Sequence, residues 1–133
     1  MEKNKKERYV MEMNELTKLV IGASIEVHKH LGPGLLESVY QECLVKELRS
    51  MNILCKENVP VKVVYKGEEL EKVFYVDVLV ENCLIIELKA IEYVLPVHKS
   101  QLLTYLKLSN IKTGLLINFN VSVLKDGLSR LAN

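Results

Sequence analysis

The sequence predicts an α+β fold in which helices pack on a small mixed sheet. Three observations carry this. Apolar residues recur at steps of three and four over residues 16–31 and 36–48, then switch to alternation from residue 59. A further helical pattern over 97–108 separates the last two apolar runs, 84–88 and 115–119. The order is therefore helix, helix, three strands, helix, strand and a terminal piece, with the last helix crossing over the sheet.

Length and composition set the bounds. A chain of 133 residues has room for one core. A hydrophobic share of 49% with 26% charged residues belongs to a globular chain rather than a disordered or fibrous one. Residues 1–12 are expected to be a flexible basic arm and residues 13–133 a single domain. No apolar run approaches the roughly 20 residues of a membrane span. The amino-terminal MEKNKKERY has no hydrophobic stretch behind it, so no secretory signal is expected. Cys43, Cys55 and Cys83 are odd in number, lack metal-ligand spacing and sit in apolar contexts. They are read as buried thiols of a reducing cytoplasm.

The first helix begins near Asn14, a plausible cap followed by the acid Glu15. Leu16, Leu19, Val20, Ala23, Val27 and Leu31 form its apolar stripe, and Gly32-Pro33-Gly34 ends it. His28 and His30 lie in its last turn, where the helix dipole favours a cation, and are expected to cap it. They are two apart and cannot share a ligand on one face. Leu36, Val39, Tyr40, Cys43, Leu44 and Leu48 repeat the pattern, placing a second helix over 35–50. Glu37 in its first turn is either a dipole-stabilising acid or a carboxylate pointing sideways into a cleft.

From Val59, apolar residues alternate through Val61 and Val63 up to a turn at Lys66-Gly67-Glu68. A second strand is expected over 73–80 and a third, the most buried, over 84–89, closing an antiparallel meander. After Pro96 a helix should run over 97–108, with Leu102, Leu103 and Leu106 apolar and His98, Gln101 and Tyr105 along another stripe. Gly114 opens a strand over 115–119, and Lys125-Asp126-Gly127 should turn the chain into one more short strand. If the strands flanking the crossover helix are parallel neighbours, the crossover should be right-handed.

Asp77, Glu87 and Lys89 interrupt the apolar second and third strands. A carboxylate taken from water there loses hydration worth several kcal/mol unless a partner, a proton or a metal replaces it. With a two-residue connection at Glu81-Asn82, Asp77 and Glu87 would project from opposite faces. A three-residue connection, Glu81-Asn82-Cys83, pairs them on one face, with Lys89 two residues further along it. This register is predicted, with Asn82 or a neighbour left-handed. The plain alternative is an ion pair between Glu87 and Lys89, with Asp77 as a cross-strand acid.

Glu37, then Asp77, then Glu87-Leu88-Lys89, then Gln101 through Tyr105 together resemble the PD-(D/E)xK nuclease superfamily, and the glutamine-to-tyrosine piece is similar to its RecB-like branch. Gly34-Leu35-Leu36-Glu37-Ser38-Val39-Tyr40 matches the signature of the small bacterial GxxExxY proteins, and residues 28–34 and 114–119 also look like that family. The resemblance covers residues 16–131; it departs where Val76 stands in place of proline before Asp77. A single acid-x-lysine tripeptide is common, so the order of these parts is what carries it.

The resemblance implies a restriction-endonuclease-like core and hydrolysis of nucleic acid, DNA before RNA, with Mg2+ or Mn2+. Asp77, Glu87 and the Leu88 carbonyl would hold the ion. Glu37 would carry a second ion or position water, Lys89 would orient water or stabilise the transition state, and Gln101 and Tyr105 would fix Lys89 or the phosphate. The alternative is an inactive nuclease-like fold used for nucleic-acid binding or assembly. It gains from a net charge of +1 and an aromatic share of 6%, since strand-binding surfaces are usually cationic and aromatic. A homodimer joining Lys3, Lys5, Lys6, Arg8, Lys99 and Lys107 would supply such a surface.

Overall fold

In the computed structural model, residues 11–133 are described. Most of the expected basic arm, residues 1–10, lies outside them. The elements are α1 (Met13–Leu31), α2 (Glu37–Ser50), β1 (Cys55–Tyr65), β2 (Glu68–Val80), β3 (Leu84–Lys89), α3 (Pro96–Ser109), β4 (Thr113–Asn118), a 3-10 turn (Leu124–Gly127) and β5 (Leu128–Ala132). The strands form one mixed sheet in that order. Neighbours are antiparallel except β3 and β4, which run parallel and are joined through α3.

Alternation along the central strands feeds two cores. Leu84, Ile86 and Leu88 of β3, with Leu115 and Ile117 of β4, pack against α1 and α2. Ile85 and Leu116 face the other way, onto Leu102, Tyr105 and Leu106 of α3. Glu87 lies two residues after Ile85 and beside Leu116, which places it on the α3 face. β4 is buried at every position and β3 at all but Lys89. Full burial of such side chains contributes about 1.5–3 kcal/mol each. Gly114 lets α3 approach closely, since a Cβ there would meet the Leu102 side chain at 3.0–3.2 Å.

Several expectations are corrected. Asn14 is inside α1, whose N-cap is Glu12, and its carbonyl accepts the Thr17 hydroxyl. His28 does not cap: it is buried, and its Nε2 lies 2.8 Å from the Val121 carbonyl, tying α1 to the loop after β4. His30 stays on its own helix, at the Glu26 carbonyl and carboxylate. The first hairpin is longer than its alternation indicated, because exposed residues fill its outer half. It turns at Lys66-Gly67, both left-handed, while Glu68 already pairs with Tyr65. Only Cys55 of the three thiols is fully buried; Cys43 and Cys83 are half-buried.

Candidate functional site

Val80 pairs with Leu84, leaving Glu81-Asn82-Cys83 as the connection between β2 and β3. Glu81 and Asn82 are left-handed, at φ of 50° and 56°. This is the predicted three-residue register, and it sets Asp77 across from Glu87. Glu81 fastens the connection to the start of β1: its amide donates to the Leu54 carbonyl at 2.8 Å, and its carboxylate accepts the Leu54 amide at 2.6 Å.

Strand pairing ends at Val78–Ile86, and the next two bonds pass to side chains. The Asp77 amide donates to Glu87 Oε2 at 2.8 Å, and the Leu88 amide donates to Asp77 Oδ2 at 2.8 Å. Each carboxylate stands where a backbone carbonyl would, so the two acids are fixed to each other's strands. The β1–β2 ribbon also turns over at this level. Cys55, Val78 and Val80 pack toward α1 and α2, whereas Val61 and Val76 pack toward α3. Between them the pairing skips Asn58 and Asp77, and Asn58 is left-handed at φ 51°.

Charge is unbalanced here. Glu87 is 6% exposed. Burial first, then the Asp77 and Glu37 charges, raise its carboxyl to about 7, against the Asp77 amide and Lys89, which lower it. Asp77 is raised too, chiefly by burial and then by Glu37, against the Leu88 amide and Lys89. Tyr105 is raised by burial and by the charges of Glu87 and Asp77. The pair therefore calls for a proton or a cation.

An oxygen-seeking divalent ion fits the donors. Each carboxylate spends one oxygen on an amide, which leaves the second oxygen of each for an ion, and neither is a sealed oxygen without a partner. Such ions take oxygen ligands and keep several waters. Among the described residues, no three His, Cys, Asp or Glu side chains gather closely enough to hold an ion, so the side-chain set is two carboxylates.

The other candidates surround this pair. Lys89 is half-buried two residues beyond Glu87 and acts on both carboxylates, but it is outside the ion pairs of the described residues, which join Glu26–His30, Arg49–Glu57 and Lys62–Glu69. The ion pair of Glu87 or Asp77 with Lys89, the plain alternative, is absent from these. Glu37, first residue of α2, is exposed, and its charge reaches both acids. Tyr105 is buried on α3, and Gln101, one turn earlier, is exposed and makes no hydrogen bond to Lys89 among the described residues. His98 Nδ1 accepts the Leu95 amide at 2.9 Å and so caps α3.

Three residues have roles here that sequence reasoning did not assign. Gln41 Nε2 reaches the Asp77 carbonyl at 3.3 Å and the Glu57 carboxylate at 3.1 Å, tying α2 to both strands. Tyr40 donates its hydroxyl to the Gly32 carbonyl and accepts the Leu35 amide, while its ring stacks on Phe119 at 4.5 Å; it pins the turn that delivers Glu37. Asn118 is buried and holds both the amide and carbonyl of Ile91, fixing the chain just after Lys89. A polar residue ending an apolar strand was the available signal for Asn118, and the Gly34 to Tyr40 signature singled out Tyr40 without its hydroxyl's role; Gln41 has no local signal.

No curated protein and no solved structure matches the chain. The profile of the PD-(D/E)XK nuclease superfamily matches residues 14–131, which include every element from α1 to β5 that shapes the carboxylate pair. The chain belongs to the PD-(D/E)XK nuclease superfamily.

Proposed function

We propose that the protein is a metal-dependent nuclease that hydrolyses phosphodiester bonds, with DNA the preferred substrate. The observation that carries this reading is the paired carboxylates, Asp77 and Glu87, held by each other's strands with only one oxygen of each taken up by an amide. When bound, a divalent ion (Mg2+ or Mn2+) supplies a water acidic enough to lose its proton near neutral pH and charge to offset that developing on phosphate. Asp77 and Glu87 offer the ligand oxygens, with the Leu88 carbonyl as a third. Lys89 orients the attacking water or stabilises the phosphate oxygens. Glu37 positions water from the α2 side or carries a second ion, and Gln101 and Tyr105 steady Lys89 or the scissile phosphate. The residues Gly34, Glu37 and Tyr40 favour placement in the GxxExxY branch, in a cytoplasmic protein that works as one domain over residues 13–133.

Cleavage of DNA and RNA strands with Mg2+ or Mn2+ tests this. Asp77→Asn keeps the acceptor for the Leu88 amide, so it should abolish cleavage in folded protein, as should Lys89→Ala. No cleavage of any nucleic acid by folded wild-type protein with either ion would refute it. The second reading, a nuclease-derived fold retained for nucleic-acid binding or assembly, is favoured by the net charge of +1. It expects no divalent-ion heat in calorimetry. A homodimer that gathers the amino-terminal lysines with Lys99 and Lys107 would serve either reading.

A further inference from the structure

Phe74 lies on β2 three residues before Asp77, about 10 Å along the strand. The residue is 42% exposed, although Val76, two residues on, is almost wholly buried. One side of Phe74 rests on Tyr105, with centroids 5.5 Å apart and planes tilted by 41°. Tyr105 is itself 7% exposed and packs in one cluster with Leu116, the β4 neighbour of Glu87, so the ring pair lies on the face of the sheet that carries that carboxylate. An isolated exposed ring would mean little. This one is backed by a second ring, on the face that carries Glu87, and is partly open to solvent.

We propose that Phe74, supported by Tyr105, is a stacking platform for an unpaired base next to the scissile phosphate, which makes single-stranded or frayed nucleic acid the substrate class. The proposal rests on the nuclease reading and names its substrate. Base–aromatic stacking is sequence-tolerant, because every base has a π-face. A paired base in a continuous duplex has both faces covered by its neighbours. With a net charge of +1, phosphate contacts have little surplus cation to draw on, and stacking supplies binding that charge does not.

The chain contains no tryptophan, so Phe74→Trp installs a lone indole reporter at the platform. Tyr65→Trp, at the far end of the same hairpin, is the control. In Mg2+, with Lys89→Ala as background to keep strands intact, a labelled single-stranded oligothymidine is titrated while anisotropy reports binding. Indole emission at position 74 should be quenched, that at 65 should not, and an abasic strand of equal charge should fail to quench. Phe74→Leu should weaken single-strand binding about tenfold and leave blunt-duplex binding unchanged. Binding by anisotropy without selective quenching at position 74, or with Phe74→Leu indifferent, overturns the platform but spares the nuclease reading. No binding of either strand form, together with no divalent-ion heat, overturns both.

Discussion

Gln41 Nε2 sits 3.3 Å from the Asp77 carbonyl, one helical turn beyond Glu37, so the helix that carries the exposed acid Glu37 is tied to the strand that carries the half-buried acid Asp77. The same nitrogen is 3.1 Å from Glu57 Oε1 and 3.5 Å from Asn58 Oδ1, at the level where the β1–β2 ribbon turns over.

Gln41→Ala should therefore act on the ion before it acts on the fold. Loss of these partly exposed bonds costs about 1 kcal/mol of stability. Divalent-ion affinity should fall several-fold, because Asp77 is no longer held from the helix side. Calorimetric titration of Mg2+ beside urea denaturation separates the two; equal affinity with reduced stability would assign Gln41 a purely structural part.

Glu87 makes stability depend on pH in a defined direction. Its folded-state carboxyl titrates at about 7, above the ordinary value of 4.5, so between these values the folded protein holds a proton that the unfolded chain has lost. Stability should fall as pH rises from about 4.5 to about 7 and level off above, by about 3 kcal/mol at most. Glu87→Gln keeps the acceptor for the Asp77 amide and removes the titration. In chelator-treated protein it should match wild type at pH 4 and exceed it at pH 8, as read by chemical denaturation across pH.

Adding Mg2+ should reverse that penalty and release protons. Calorimetry in two buffers of different ionisation enthalpy should show close to one proton released per ion at pH 6, when Glu87 is mostly protonated, and little at pH 8.5. The melting temperature should rise with Mg2+ more at pH 8.5 than at pH 6, and chelator should cancel the rise.

Tyr40→Phe deletes the hydroxyl that bridges Gly32 and Leu35 and leaves the ring on Phe119. About 1–2 kcal/mol of stability should be lost. Any nuclease activity should fall further than Tyr40→Phe lowers the folded fraction, because the turn no longer fixes the direction of Glu37. Melting curves and cleavage rates on the same samples make the comparison.

Much of this was legible in the sequence because periodicity reports burial. The parity of Val80, Leu84 and Ile86 together with the need to seat two acids was enough to choose the Glu81-Asn82-Cys83 connection over a two-residue hairpin. Residues whose partners are distant in sequence were not legible. Gln41 meets Asp77 across 36 positions and His28 meets Val121 across 93, and neither neighbourhood carries a local mark. The change of face at Asn58 and Asp77 was hidden for another reason: alternation presumes a strand that keeps its pleat, and a left-handed Asn58 interrupts it. Glu37 was legible as a first-turn acid, which it is, at the start of α2; its charge also raises both carboxylates, the feature from which its proposed site role is argued.

Because Asp77 and Glu87 each accept a main-chain amide with one oxygen, they are seams of the sheet as well as acids. The amide side chains of asparagine and glutamine would keep those seams closed. A single-base change of either acid to its amide would then remove a proposed ion ligand and leave the architecture standing. Inactive descendants of such a protein are thus one mutational step away and carry no folding handicap, whereas alanine at either position opens the sheet.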